Sequence, residues 1–148
     1  MEAVILECGD FPKKEYPREL LRRADVIICC DRALDTFLRH RDKIFKDLRD
    51  PDAIIGDMDS ISPKHLKEYS RIAIREEEQE TNDQTKAFRY LLEHWPEVKT
   101  VHILGATGKR EAHTLGNLGQ IMEYARLYGA SGNPDEDRIY VDAVSDYS

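Results

Sequence analysis

The stretch Asp52-Ala53-Ile54-Ile55-Gly56-Asp57-Met58-Asp59-Ser60 decides the fold. A short apolar run enters a glycine and then two acids spaced two apart. A run this short, bounded by turn residues, reads as a strand covered on both faces. In an open parallel sheet, ligands gather beyond the carboxyl ends of the strands, so the residues after Ile55 become candidates for chemistry. In an irregular loop Asp57 and Asp59 can both turn toward one hard cation, which takes oxygen ligands and keeps several waters. Gly56 lets phosphate or metal approach the backbone. The same residues also suit a turn or a helix cap, and spacing alone leaves both readings open.

Working outward, apolar runs alternate with helix-like stretches. Ala3–Leu6, Val26–Cys30, Ala53–Ile55 and Val101–Leu104 read as strands, with weaker candidates at Ile72–Ile74 and Ile139–Val141. Helices are predicted from Pro17 to Arg23, from Arg32 to His40, from Ser62-Pro63 with Ser62 as cap, from Asn82 to His94 and from His113 to Tyr128. The Asn82–His94 segment is the clearest, with Ala87, Tyr90, Leu91 and His94 on one face. This alternation implies an α/β fold: a three-layer α/β/α arrangement with a mainly parallel, Rossmann-like sheet and helices on both faces. The segment Asp142–Ser148 reads as a polar ending with little to bury.

Composition narrows the function. The chain has 148 residues, enough for one compact domain, with 41% hydrophobic and 34% charged residues. Its net charge of −7 argues against charge-driven nucleic-acid binding. It still permits a small anionic substrate held through a bridging cation. No apolar run approaches the length of a membrane span, and no signal peptide follows Met1. Cys8, Cys29 and Cys30 all fall in apolar runs that read as strands, with no CxxC spacing. They read as buried, reduced thiols in a cytoplasmic protein, with adjacent Cys29 and Cys30 pointing to opposite faces.

The residues after each strand form a pattern. Gly9-Asp10 follows the first strand, Asp31 the second, Gly56–Ser60 the third and Gly105-Ala106-Thr107-Gly108-Lys109-Arg110 the fifth. Acids, glycines and two cations converge on one edge, which suits a magnesium-nucleotide site. Asp83 and Lys86 share a face at the start of the fourth helix and can serve as a metal-plus-phosphate pair. Asn82 or Asp83 can equally be a cap. The Gly105–Arg110 loop can place N–H groups and a guanidinium around phosphates, or be an ordinary connection. It matches neither GxxxxGK[ST] nor GxGxxG. His113 admits acid-base work or a role at the helix start.

In order along the chain, four blocks resemble the thiamine pyrophosphokinase (thiamine diphosphokinase) family. Cys8-Gly9-Asp10-Phe11-Pro12 is similar to its N-G-D/E turn. Asp52–Ser60 resembles its I-G-D-x-D-S signature, and Gln79–Lys86 its Q-D-x-T-D-x-T-K block. Gly105–Asn117 resembles its G-A-x-G-x-R-x-D-H-T-L-x-N block. The resemblance implies ATP-dependent pyrophosphoryl transfer to the hydroxyl of thiamine, giving thiamine diphosphate and AMP, with Mg2+ as cofactor and ATP as co-substrate. Carried over by position, Asp57, Asp59 and Asp83 become the catalytic and metal-binding acids. Gly9, Asp10, Asp31, Gly56, Ser60, Thr85, Lys86, Gly108 and Arg110 fall on the nucleotide side. Gln79, His113 and Thr114 fall on the thiamine side. Thiamine and ATP are the implied partners, with no nucleic acid or membrane, and the full-length protein is implied to be a homodimer.

Three departures stand out. Cys30-Asp31-Arg32-Ala33-Leu34 replaces the family's A-D-G-G-A, Cys8 replaces Asn, and Ala112 stands where the family has Asp before His-Thr. The family also continues into a smaller β-rich domain that helps form the thiamine site and the dimer. Residues 1–148 therefore read as the catalytic domain, with 139–148 as the start of that second domain. Two other classes remain in view: a nucleotide-binding module without turnover, and another magnesium-dependent phosphotransferase.

Overall fold

The computed structural model describes residues 1–76, 83–106 and 139–144. Six strands, β1 (Glu2–Leu6), β2 (Val26–Cys30), β3 (Ala53–Gly56), β4 (Ala73–Arg75), β5 (Thr100–Leu104) and β6 (Tyr140–Val144), form one sheet in the order β4-β3-β2-β1-β5-β6. Every pairing is parallel. The α/β expectation holds, and the sheet is wholly parallel rather than mainly so. From β1 the chain builds outward through β2, β3 and β4. It then returns across the sheet to lay β5 on the other side of β1, which makes β1/β5 the topological switch point.

Period-2 alternation divides the core. Val4, Leu6, Ile27, Cys29 and Ile54 bury on one face with α1 (Glu15–Arg23) and α2 (Ala33–Ile44). Ala3, Ile5, Ile28, Cys30 and Ile55 bury on the other with α4 (Asp83–His94). Both faces are thus apolar, which is why the strands read as near-continuous hydrophobic runs. Within α2, Ala33, Leu34, Phe37 and Ile44 are buried. Ile44, seven residues beyond Phe37, carries the helix past the predicted end at His40. Among the described residues no helix is long and apolar enough to cross a membrane.

Several expectations need correction. Cys29 and Cys30 are buried on opposite faces as predicted, but Cys8 is exposed, because β1 stops at Leu6 and the chain bends at Cys8 and Gly9. Ser62 occupies the N-cap position of α3 (Pro63–Glu68) without a side-chain capping bond. Its N–H instead donates to Asp35 Oδ2 at 3.1 Å. Asp142-Ala143-Val144 is no loose polar ending: it pairs with His102-Ile103-Leu104, and Val144 is buried. The predicted helix from His113 to Tyr128 lies outside the described residues.

Candidate functional site

The corner after β3 is built around one buried carboxylate. Asp31, the first residue after β2, takes a left-handed conformation (φ 47°) that a short polar side chain tolerates. Its N–H donates to Ile55 O at 2.9 Å, and its Oδ1 accepts the Met58 N–H at 3.0 Å. The Asp31 side chain therefore lies beneath the loop that β3 feeds. Gly56 makes this fit. Its φ is +149°, and a Cβ there would come under 3.0 Å from all three atoms of the Asp31 carboxylate group. Met58, at φ 73°, completes the sharp turn and buries its side chain. The loop closes with the Asp59 N–H donating to Asp57 Oδ1 at 3.0 Å.

Three acids from separate elements meet here. Burial pushes the Asp31 carboxyl above the usual carboxylate range. A hydrogen bond with the Asp83 side chain and the charges of Asp83 and Asp57 push the same way, against the Met58 N–H. Asp83 opens α4, which packs across β2 and β3, so the helix delivers this acid to the carboxyl edge. Asp57 hangs from the corner loop. Like charges held together in a partly buried site suit a cation between them.

A fourth acid, Glu7, is one that the sequence reading missed. It is the first residue after β1, and its Oε2 accepts Gln84 Nε2 at 2.9 Å. Burial, then the charge of Asp83, raises its pKa from 4.5 to about 7. The available signal was its position, directly after an apolar strand, just as Asp31 follows β2. Beyond Glu7 the two central loops stay zipped: Glu7 N–H donates to Leu104 O at 2.8 Å and Gly9 N–H to Gly105 O at 2.7 Å. A Cβ on Gly105 (φ +74°) would come under 3.0 Å from Glu7 O, so this close approach requires glycine.

The other predicted residues are placed unevenly. Asp59 and Ser60 are on the corner loop but exposed, and Asp10 is exposed after β1. Thr85 is buried in the first turn of α4. Lys86 is also buried, and its Nζ donates to Glu76 O at 3.2 Å. Since Glu76 N–H donates to Gly56 O, Lys86 braces the chain running beside the corner. The lost glycines at Arg32-Ala33 leave an ordinary helix start: Arg32 has φ −66° and ψ −4°, and Ala33 is buried in the core. Gln79, Gly108, Arg110, His113 and Thr114, and the substituted Ala112, lie outside the described residues.

Residues 17–128 match the family described as the catalytic domain of thiamin pyrophosphokinase. The chain belongs to this family. Solved structures agree in fold. A thiamin pyrophosphokinase family protein from Enterococcus faecalis is 24% identical, with a TM-score of 0.63 over 83% of this chain and 55% of that one. The thiamine pyrophosphokinase from Bacillus subtilis is 19% identical, with a TM-score of 0.68 over 99% and 61%. The thiamin pyrophosphokinase from Candida albicans is 20% identical, with a TM-score of 0.66 over 97% and 58%. The chain thus spans little more than half the length of these relatives. No curated protein matches it.

Proposed function

We propose that this chain carries the ATP-handling site of a thiamine diphosphokinase, which transfers a pyrophosphoryl group from ATP to the hydroxyl of thiamine. The observation that supports this best is the meeting of Asp31, Asp57 and Asp83 at the carboxyl edge of the sheet. Acids that raise one another's pKa in this way are relieved by a bound cation.

The donor set fits magnesium. Among the described residues no three His, Cys, Asp or Glu side chains form a metal-enclosing group. Magnesium is characteristically held by one or two carboxylates plus substrate phosphates and water, not by an all-protein cage. Asp57 and Asp83, with Asp59 on the same loop, are the acids that would hold it. When bound, it neutralises charge on the transferring group.

The chain's own residues then orient the reaction. Asp31 pins Met58 and so fixes the loop that carries Asp57 and Asp59. Gly56 keeps that loop against Asp31. The thiamine hydroxyl oxygen bonds to the β-phosphorus, and the bond from that phosphorus to the α-bridging oxygen breaks. AMP leaves with that oxygen, and the hydroxyl proton passes to Asp59 or Asp83. Positioning accounts for most of the rate gain.

The test is calorimetric titration of the chain with ATP, with and without magnesium, followed by assay of AMP and thiamine diphosphate after thiamine is added to a version extended by the C-terminal region that its relatives carry. Magnesium-dependent ATP binding and thiamine-dependent AMP are expected. Magnesium-dependent binding without AMP favours the module that binds but does not turn over. ATP binding indifferent to magnesium overturns the site.

A further inference from the structure

A second cluster lies on the outer side of the α1/α2 layer, where α2 faces α3 across a cleft of about 440 Å³ lined by Asp35, Leu38, Arg39, Ser62 and His65. That volume falls within the range of small-molecule sites. At its floor Asp35 is fully engaged: Oδ1 meets His65 Nδ1 at 2.5 Å and Oδ2 accepts the Ser62 N–H at 3.1 Å. The carboxylate therefore holds the imidazole in one orientation, with Nε2 as the ring's outward atom. That nitrogen has no hydrogen-bond partner among the described residues.

Arg39 stands one helical turn beyond Asp35, exposed at the cleft, and forms no ion pair among the described residues. Its charge reaches its surroundings. The neighbouring His40 ring is held below its ordinary pKa by burial, then by Lys43, Arg39 and Arg18, with Asp42 acting weakly in the opposite direction. In a chain of net charge −7, this is a local positive field with an oriented imidazole beside it. Asp35 has both oxygens engaged, by His65 Nδ1 and the Ser62 N–H, so the guanidinium is the cleft's charged group without a partner among the described residues.

We propose that this α2–α3 cleft binds a phosphate monoester, seated between the Arg39 guanidinium and His65 Nε2, with Leu38 against the ester group. A phosphoryl group fits for two reasons. Its oxygens match the planar fork of a guanidinium. It also carries both O⁻ and P–OH forms near neutrality, so it can accept from a charged imidazole or donate to a neutral one. A carboxylate at that pH can only accept. The site is separate from the acid corner and does not depend on the function proposed above.

The experiment is a titration of the full chain with phenyl phosphate, followed through imidazole 1H–15N correlations, with the His65 signals assigned from His65→Asn. Phenol and benzoate serve as controls. Saturating shifts of the His65 signals in the millimolar range are expected with phenyl phosphate alone. Arg39→Ala, an exposed change that leaves the fold intact, should weaken the response about tenfold, the equivalent of one charge-assisted hydrogen bond. Asp57→Asn should leave it unchanged. The proposal is overturned if His65 does not respond, if Arg39→Ala binds as well as the parent, or if benzoate binds equally. It is also overturned if Asp57→Asn abolishes the response, which would place the phosphate at the acid corner.

Discussion

Gly56→Ala tests how the corner is held. The alanine would meet two costs. A non-glycine residue at φ +149° is strained by about 1–3 kcal/mol. Its Cβ would also fall under 3.0 Å from the Asp31 carboxylate, so that side chain must move and release the Met58 N–H. A hydrogen bond to a charged acceptor is worth roughly 1.5–3 kcal/mol. Together the loss is about 3 kcal/mol or more, a fall in Tm on the order of 10 °C for a domain of this size. Thermal and urea unfolding of Gly56→Ala, Asp31→Ala and the double variant measure it. Asp31→Ala already lacks the bond and the clashing carboxylate, so Gly56→Ala in that background should cost only the backbone term. The two changes should therefore be less than additive by roughly 1.5–3 kcal/mol. A loss below about 1 kcal/mol for Gly56→Ala, or full additivity, would refute the claim that Gly56 exists to seat Asp31.

Other outcomes follow from the same geometry. Ellman's reagent should titrate one fast thiol, Cys8, in the folded chain and three after denaturation. Cys29 and Cys30 are fully buried, and burial pushes both thiols above their ordinary pKa. Three fast thiols would contradict the placement of β2. Glu7 ionises near 4.5 when unfolded but at about 7 when folded, so stability present below about pH 4.5 should be lost as the pH rises through 7. After allowance for partial exposure the Glu7 share of the drop is about 1–3 kcal/mol; Glu7→Gln should remove that share and leave the part that the raised Asp31 carboxyl contributes. A parent profile already flat across that window would count against the buried Glu7. Asp57→Asn should weaken magnesium-dependent ATP binding at least tenfold, while unfolding without magnesium stays within about 1 kcal/mol of the parent. Unchanged binding would remove Asp57 from the site.

Much of this architecture was legible because its strands are apolar on both faces. Val26-Ile27-Ile28-Cys29-Cys30 is short, apolar and β-branched at its start, which favours a strand covered on both faces, and all five residues are buried. Legibility faded where tertiary partners decide. The Lys86 ammonium looked like a phosphate contact, yet it is buried against the Glu76 carbonyl, a partner ten residues away that no local pattern reveals. Ser62 looked like a cap, but its side chain makes no capping bond, and its own N–H is held by Asp35 from another helix. The Gly56–Ser60 corner was found from its acids, whereas its supporting interaction, Asp31 beneath Met58, joins residues 27 apart. Glu7 was passed over because a lone acid after a strand has no spacing to mark it.

The position of β1 has a consequence for biosynthesis. It is the first strand made and lies in the middle of the finished sheet, with β2 on one edge and β5 on the other. Its β5 neighbour ends at Leu104, so translation at roughly 5–20 residues per second leaves that edge unpaired for about 5–20 s. During that interval an apolar strand with open backbone groups is exposed on the ribosome, a hazard for chain-to-chain pairing. The parallel, central placement that creates the switch point thus leaves one edge of β1 without its partner until the fifth strand emerges.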